Sequence, residues 1–277
     1  MKYTNVVINV VRKLCGNKFP RSGKRLRNLF LKIAPQKITC ELFPNMIVKL
    51  DLNDLTMRTT YLQGDQFEFP TTAVFKSWGG EKFFDIGANY GFYSLFMLHQ
   101  FNKLSAYAFE PNPLTFRHLE STKIGNRLDR LHIFNCGLGS RDEQLELHPG
   151  IVDSGHSTFL NHRELAHLSL GEIPITTFDT WMKDHNLSYP LHPTWVAKID
   201  VEGMEYSVLL GMEKAFSRKV FKGICIEILE HTLALDGHKP DDIFQFLGEF
   251  GYHPINQEEL IKRFGRTSTM NVFFEPN

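Results

Sequence analysis

KFFDIGANYG, at residues 82–91, is the stretch of sequence that decides the fold of this chain. Its first five positions are mostly apolar and predict a short buried strand, and the apolar run after the stretch predicts a helix at Tyr93–Phe101. Gly87 and Gly91 allow the backbone between them to turn tightly and to approach a ligand closely. The first turn of the helix leaves backbone N–H groups without helical partners. A strand, a glycine turn and a helix in this order predict a nucleotide-binding turn.

Strands and helices alternate along much of the remaining chain. Further strands are predicted at Leu104–Phe109, His132–Cys136, Trp195–Val201, Gly223–Leu229 and Asn271–Glu275. Further helices are predicted at Thr71–Trp78, Pro113–Ile124, Phe178–His185, Glu205–Ser217 and Pro240–Phe250. This alternation predicts an α/β fold with a doubly wound, mostly parallel sheet. The ligands of such sheets bind beyond the carboxyl ends of the strands.

Charge is unevenly distributed along the 277 residues. Residues 1–40 contain ten lysines or arginines and no acid, whereas the remainder contains 21 basic and 31 acidic residues. The net charge of zero over the whole chain argues against a dedicated nucleic-acid-binding protein. We therefore predict a basic, helical N-terminal extension at residues 1–37 and a single larger domain at residues 38–277. The extension either packs on the domain with a solvated basic face or contacts acidic lipid or an anionic carrier.

Cysteine spacing and hydropathy bear on the compartment. The four cysteines lie far apart in the sequence, which suggests neither a metal site nor a redox pair and favours a reducing compartment. No apolar run reaches the roughly 18 residues needed to cross a bilayer. The apolar segment near the N-terminus lacks the cleavage pattern of a signal peptide. We predict a cytoplasmic protein, with peripheral membrane contact as one use of residues 1–37.

An acidic residue at the end of the first core strand bears on the choice of cofactor. Asp85 comes just before the glycine turn, where a carboxylate would attract a cationic amino group and repel a pyrophosphate. This suits S-adenosylmethionine (SAM), whose methionine part carries an ammonium group beside a sulfonium. The dinucleotide pattern G-x-G-x-x-G is not met, because only Gly87 and Gly91 are present. The alternative is an ordinary junction between a strand and a helix.

The next two strand ends supply further polar side chains. Glu110 follows the second core strand, about 20 residues past the glycine turn, where an acid can accept hydrogen bonds from both hydroxyls of a ribose. Prolines on both sides of Asn112 stiffen this loop. Asn135 ends the third strand, where it could contact adenosine or equally form a turn. The candidate cofactor-binding residues are Asp85, Gly87, Asn89, Tyr90, Gly91, Glu110, Asn112 and Asn135.

Five segments, taken in order, resemble the FkbM-type SAM-dependent methyltransferases. They are residues 64–68, 85–91, 109–113, 175–179 and 198–205. The resemblance extends from Tyr61 to Tyr252, and its last segment is the most distinctive because the general SAM-binding fold does not require it. It implies a Rossmann-like class I methyltransferase sheet with SAM as cofactor. For most members it also implies methyl transfer to an oxygen of a sugar, a polyketide or another secondary metabolite.

Carboxylates at the ends of the fourth and fifth core strands are the candidate catalytic groups, and they are Asp200, Glu202 and Glu227. Methylation of an alcohol requires a positioned hydroxyl and a group that removes its proton. Glu202 could instead cap the next helix, and Lys198 could pair with one of the acids. Asp200 and Glu227 could also hold a divalent metal through oxygen ligands. No DxD or DN cluster supports this, so a metal site is not favoured.

Three other functions compete with O-methylation of a hydroxyl on a glycan or secondary metabolite. An NAD-dependent sugar oxidoreductase is disfavoured by the missing third glycine, by Asp85 and by the lack of a Tyr-x-x-x-Lys pair. A non-catalytic SAM-binding adaptor is compatible with the sequence, although the carboxylates at the strand ends argue against it. Nucleic-acid methylation is disfavoured because the sequence has no Asn/Asp-Pro-Pro-Tyr/Phe type of motif.

Overall fold

The structure, a computed structural model, describes residues 36–63, 67–150, 157–160, 168–265 and 270–277. The chain divides into two compact units, one that ends at Phe69 and one that comprises Pro70–Asn277. Residues 1–35, which make up nearly all of the predicted basic helical extension, lie outside the described residues. The extension and its contacts therefore stay predictions.

The regular elements are numbered in chain order. The strands are β1 (Lys37–Phe43), β2 (Met46–Asp51), β3 (Lys82–Ile86), β4 (Ser105–Phe109), β5 (Leu131–Phe134), β6 (Gly137–Leu138), β7 (Glu143–Glu146), β8 (Glu172–Thr176), β9 (Trp195–Ile199), β10 (Phe221–Glu227), β11 (Tyr252–Pro254) and β12 (Asn271–Pro276). The helices are α1 (Leu55–Gln63), α2 (Thr71–Trp78), α3 (Phe92–Gln100), α4 (Pro113–Asn126), α5 (Phe178–Asp184), α6 (Glu205–Leu210), α7 (Glu213–Ser217), α8 (Glu230–Leu233), α9 (Pro240–Glu249) and α10 (Gln257–Phe264). None of the described helices is both long enough and apolar enough to cross a membrane.

The described part of the first unit is a β-hairpin followed by a helix. Strands β1 and β2 pair antiparallel. Asn45 occupies the turn with a φ of 63°, a conformation that asparagine tolerates better than most residues. Its backbone N–H donates to the Glu41 carboxylate at 2.7 Å, which closes the turn. Helix α1 then ends at Gln63.

The second unit is built on a seven-stranded sheet with the order β11-β12-β10-β9-β3-β4-β5. The five strands from β10 to β5 are parallel, and β12 runs antiparallel to both of its neighbours. The chain moves outward from β3 through β4 to β5 and then returns to β9 on the other side of β3. The direction of winding therefore reverses between β3 and β9, and the predicted doubly wound α/β sheet is confirmed. A second, three-stranded sheet has the order β6-β8-β7.

Successive residues of β3 contact helices on opposite faces of the sheet. Phe83 packs edge-on against Phe75 of α2, with ring centroids 5.2 Å apart. Phe84 packs edge-on against Phe178 of α5, at 5.0 Å. Both rings are fully buried, since strand side chains alternate between faces and both faces are covered. Asp85 follows on the α2 and α3 face, which places a carboxyl group inside that layer.

The register of the parallel strands aligns their carboxyl ends. Ile86 of β3 lies opposite Phe109 of β4 and opposite Ile199 of β9. Ile199 in turn lies opposite Ile226 of β10. The next residue in each strand therefore lies at one level along the edge of the sheet. Four of the predicted site residues occupy that level, namely Gly87, Glu110, Asp200 and Glu227.

The single helix predicted at Glu205–Ser217 is wrong, because the structure has two short helices, α6 and α7, in its place. The break falls at Gly211, whose carbonyl accepts a hydrogen bond from Asp179 N of α5 at 3.1 Å. A Cβ atom at Gly211 would lie 2.0 Å from the Gly139 carbonyl oxygen. The helix therefore does not continue past Gly211, because the chain packs closely there against α5 and the end of β6. Helices α1, α8 and α10 were not predicted, and α10 buries only Leu260.

Candidate functional site

A cleft opens at the carboxyl edge of the sheet, beside the reversal between β3 and β9. It contains about 550 Å³ of space between protein atoms, counting the part that is open to solvent. Its walls come from the ends of β3, β4, β6 and β9 and from the loops after them. The polar and glycine residues that line it include Gly87, Asn89, Glu110, Ser157, Asp200 and Glu202.

The predicted glycine turn forms one wall of the cleft. Gly87 and Gly91 have φ angles of 81° and 87°, in the region that glycine enters without strain. A Cβ atom at Gly87 would lie 1.8 Å from the Asp200 carbonyl oxygen, and one at Gly91 would lie 2.5 Å from Leu119. Asn89, between them, also has a positive φ, of 51°. The turn is therefore wedged between the loop after β9 and helix α4, and only small residues fit at its two ends.

Asp85 is a buried carboxyl group with one satisfied oxygen. Its Oδ2 accepts hydrogen bonds from the Ser94 backbone N–H at 2.9 Å and from the Ser94 hydroxyl at 2.7 Å. Its Oδ1 is buried and has no hydrogen-bond partner among the described residues. Burial raises the pKa of Asp85 to about 6, although Ser94 and the ammonium of Lys198 oppose that rise. The group can therefore accept a further hydrogen bond through Oδ1.

Glu110 connects the glycine turn to the loop after β4. Its Oε2 accepts from the Asn89 backbone N–H at 2.6 Å, and its Oε1 accepts from the Asn112 backbone N–H at 2.8 Å. Burial raises the pKa of Glu110 to about 8, and these two N–H groups act against the rise. A carboxyl oxygen has more than one lone pair, so Glu110 keeps acceptor capacity on the side that lines the cleft.

Two asparagines that were predicted to contact the cofactor hold this loop in place. Asn112 is the N-cap of α4, because its Oδ1 accepts from the Leu114 N–H at 2.9 Å. Asn135 Nδ2 donates to the carbonyls of Glu110 and Pro111, at 2.8 and 3.0 Å. Both side chains thus have structural partners that the sequence did not reveal. Within the described residues, five of the predicted positions lie behind the cleft lining, namely Asp85, Tyr90, Gly91, Asn112 and Asn135.

Asp200 follows β9 beside the glycine turn, lines the cleft and is paired with a buried lysine. Lys198 Nζ is 2.5 Å from Asp200 Oδ2, and the lysine side chain is only 3% exposed. The same Nζ lies 4.9 Å from the ring centre of Tyr93 in α3. Burial acts to lower the pKa of Lys198, but attraction by Asp200 and Glu227 outweighs it and holds the pKa above its usual value. Lys198 is therefore a charged ammonium.

Glu227 ends β10 next to Asp200. Burial first, and then repulsion from the Asp200 carboxylate, raise the pKa of Glu227 well above its usual value. Two carboxyl groups this close do not ionise together easily, so the pair holds a proton more readily than isolated carboxyl groups do. One oxygen each from Asp200, Glu202 and Glu227 lie within 4.8 Å of one another. That spacing would also allow the three to share one divalent cation.

Glu202 lies in a tight turn that a second glutamate holds. It has a φ of 54°, and the following Gly203 has a φ of 109°. Glu205 Oε1 accepts from the backbone N–H groups of Val201 and Gly203, both at 3.1 Å. The predicted alternative that Glu202 caps the next helix is not what the structure shows, because Met204 is the N-cap and makes no side-chain cap bond. Glu205 is instead the group that shapes the turn.

The hydroxyl-rich segment at residues 153–158, which precedes β8, contributes to the lining of the cleft. Its residues 153–156 lie outside the described part of the chain, but Ser157 lines the cleft and accepts from Asn112 Nδ2 at 3.1 Å. Thr158 Oγ1 donates to the Glu202 carbonyl at 3.1 Å. Sequence reasoning missed Ser94 and Glu205, although a serine in the first turn after the glycines was a usable signal.

Several solved structures are similar to this chain at low sequence identity. A precorrin-6y C5,15-methyltransferase from Geobacter metallireducens is 12% identical, with a TM-score of 0.38, over 76% of this chain and 86% of that one. A SAM-dependent methyltransferase from Agrobacterium tumefaciens is 8% identical, with a TM-score of 0.44, over 88% and 72%. An O-methyltransferase from Bacillus cereus, in complex with SAH, is 9% identical, with a TM-score of 0.39, over 74% and 81%. No curated protein matches the chain.

A family model supplies the identification that the solved structures do not. The model for the methyltransferase FkbM domain matches residues 85–254, which is more than half of the chain. The match begins at Asp85, includes the whole cleft lining, and ends in β11. The family predicted from the five sequence segments is thus confirmed. The chain belongs to the FkbM-type SAM-dependent methyltransferases.

Proposed function

We propose that this protein transfers the methyl group of SAM to a hydroxyl oxygen of a small molecule or glycan. The observation that carries the proposal is the register of the parallel strands, which aligns the carboxyl ends of β3, β4, β9 and β10. It brings the candidate cofactor ligand Glu110 and the candidate proton acceptor Asp200 into the lining of one cleft. Such an edge is where a doubly wound sheet binds its ligands.

The residues of the cleft fit SAM better than a dinucleotide. Asp85 lies behind the lining, and its carboxyl group, whose Oδ1 is buried and has no partner among the described residues, would attract the ammonium group of SAM. Glu110 would accept hydrogen bonds from ribose hydroxyls, and Gly87 lines the cleft beside it. A pyrophosphate at this position would face two buried acids. When bound, SAM would supply a methyl group that is already activated for displacement.

The Asp200–Glu227 pair supports transfer to an oxygen. A neutral alcohol must lose its proton as the new bond to carbon forms. We assign Asp200 as the acceptor of that proton, because it lines the cleft and because Lys198 stabilises its charged form. The raised pKa of Glu227 favours its protonated form, which reduces the negative charge beside Asp200. Glu202 lines the same wall and would contact the acceptor molecule.

The acidic cleft wall bears on which class of molecule receives the methyl group. Of the possible acceptors, a small-molecule or glycan hydroxyl is favoured over nucleic acid because the cleft wall carries acids that repel phosphates. We further propose that the protein is cytoplasmic. We propose as well that residues 1–37 make a peripheral contact with a membrane or an anionic carrier.

The cofactor is tested by calorimetric titration of the wild type with SAM and, separately, with NAD. We expect micromolar binding of SAM that is lost in Asp85→Ala and in Glu110→Ala. Glu213→Ala is the matched control, because it removes an exposed acid on α7. Binding of NAD in place of SAM would contradict the assignment of this cleft as a SAM site. So would SAM binding that both substitutions leave unchanged.

The transfer step is tested with SAM that carries a labelled methyl group and a panel of sugars, glycans and phenols. We expect Asp200→Asn to bind SAM with wild-type affinity and to transfer its methyl group about 10²–10⁴-fold more slowly, as for loss of a general base. Labelled products that carry the methyl group on nitrogen or carbon would contradict the proposed oxygen acceptor. SAM binding without any product would favour the adaptor.

A further inference from the structure

Lys198 is a positive charge inside the layer between the sheet and α3. Its side chain is 3% exposed and its ammonium contacts Asp200 Oδ2 at 2.5 Å, with the ring of Tyr93 on another side. In the strand register it lies opposite Asp85 on β3 and opposite Cys225 on β10. A buried ammonium is costly unless an opposite charge compensates it. The acids around it provide that charge.

The surrounding acids in turn require a cation. Asp200, Glu202 and Glu227 place three carboxyl oxygens within 4.8 Å of one another, which disfavours simultaneous ionisation. One solution is a divalent metal that all three would coordinate. The other is a fixed ammonium from the protein. Lys198 already occupies one oxygen of Asp200, Oδ2, and so places a positive charge at contact distance from the cluster, where it would repel a metal ion.

We propose that Lys198 is the built-in cation of this site and takes the place of a divalent metal among Asp200, Glu202 and Glu227. This rests on the proposed function, in which Asp200 accepts a proton from the acceptor. Lys198 is a positioning residue, because it acts through Asp200 and touches no reacting atom. Its ammonium fixes the orientation of Asp200 and supplies the neutralising charge without an exchangeable ion.

The experiment measures binding of Mn²⁺ to the full chain, by electron paramagnetic resonance of the free ion. The variants are Lys198→Met, Lys198→Arg and the double variant Lys198→Met with Asp200→Asn, and Lys214→Met is the control at an exposed lysine of α7. We expect Lys198→Met to bind Mn²⁺ about tenfold or more tightly than wild type, since one repelling charge at contact distance is removed. The gain should disappear in the double variant and be absent in Lys198→Arg and Lys214→Met.

Two results would overturn the proposal. One is Mn²⁺ binding to wild type as tight as to Lys198→Met and lost in Asp200→Asn, because a metal and the ammonium would then coexist. The other is a folded Lys198→Met that gains no Mn²⁺ affinity. SAM calorimetry on every variant separates these results from failure of the proposed function, which would appear as absent SAM binding in wild type.

Circular dichroism covers the case in which Lys198→Met does not fold, and Lys198→Gln then replaces it. If both neutral variants are unfolded while Lys198→Arg folds, a positive charge is required at this position and the proposal stands. If Lys198→Arg is unfolded as well, the shape of the lysine and not its charge is what the site requires, and the proposal fails.

Discussion

Glu205 is a buried carboxyl group whose two oxygens have different surroundings. Oε1 accepts two backbone N–H groups of the turn that carries Glu202, whereas Oε2 is buried and has no hydrogen-bond partner among the described residues. Burial raises the pKa of Glu205 to about 7, although the turn's N–H groups oppose the rise. Folding therefore favours the protonated form of this side chain over the ionised one.

This shift makes stability depend on pH in a defined direction. The pKa is about 4.3 in the unfolded chain and about 7 in the folded protein. The stabilisation that Glu205 contributes is fully present below its pKa in the unfolded chain and is lost as the pH rises through 7. The total loss in the free energy of unfolding is on the order of 3 kcal/mol. We expect the free energy of unfolding of the wild type to fall between pH 5 and 8, and to fall less in Glu205→Gln. Urea unfolding across that range measures both.

The control for this prediction is Glu213→Gln, which changes an exposed glutamate on α7 and should follow the wild type. Asp85 and Glu110 have pKa values raised in the same direction, so part of the slope should remain in Glu205→Gln. An identical slope in wild type and Glu205→Gln would show that Glu205 is ionised in the folded protein throughout this range.

The junction between β3 and α3 requires glycine at position 87, because the loop after β9 leaves no room there for a side chain. A Cβ atom at Gly87 would meet the Asp200 carbonyl at 1.8 Å, and the φ of 81° is itself unfavourable for alanine. We expect Gly87→Ala to lower the free energy of unfolding by about 3 kcal/mol or more and to weaken SAM binding. Urea unfolding and calorimetry measure the two effects.

Helix α4 provides a matched glycine for comparison. Gly125 is exposed near the end of that helix, and a Cβ atom there would meet nothing within 4 Å. We expect Gly125→Ala to raise the free energy of unfolding by about 0.5 kcal/mol, because alanine has the higher helix propensity. Equal effects of the two alanine substitutions would rule out the close contact between the glycine turn and the loop after β9.

At the level of the whole molecule, the second unit contains the complete seven-stranded sheet and every residue that lines the cleft. We therefore expect a fragment of residues 70–277 to fold and to bind SAM within about tenfold of the full-chain affinity, a change of roughly 1.4 kcal/mol or less. Circular dichroism, cooperative thermal unfolding and calorimetry check this. A fragment that stays unfolded or binds no SAM would show that residues 1–69 are part of the functional domain.

The sequence by itself determined the sheet and the family. The apolar run before Gly87 and its repetition at later strands predicted the parallel core, because burial on both faces selects continuous apolar strands. Local chemistry also predicted which acids follow the strands. Asp85, Glu110 and Asp200 could be named in advance since their position depends only on where each strand ends.

The tertiary structure alone decided the partners of those groups. Asp85 bonds Ser94, Asn135 holds the carbonyls of the Glu110 loop, and Lys198 pairs with Asp200. It also broke the predicted helix at Gly211, where packing against Gly139 removes the room for a regular turn. Each of these outcomes depends on distances between segments that are remote in sequence or on how deeply a charge is buried. Periodicity and spacing hold no information on either quantity, which is why the raised pKa of Glu227 and the role of Glu205 emerged only from the folded chain.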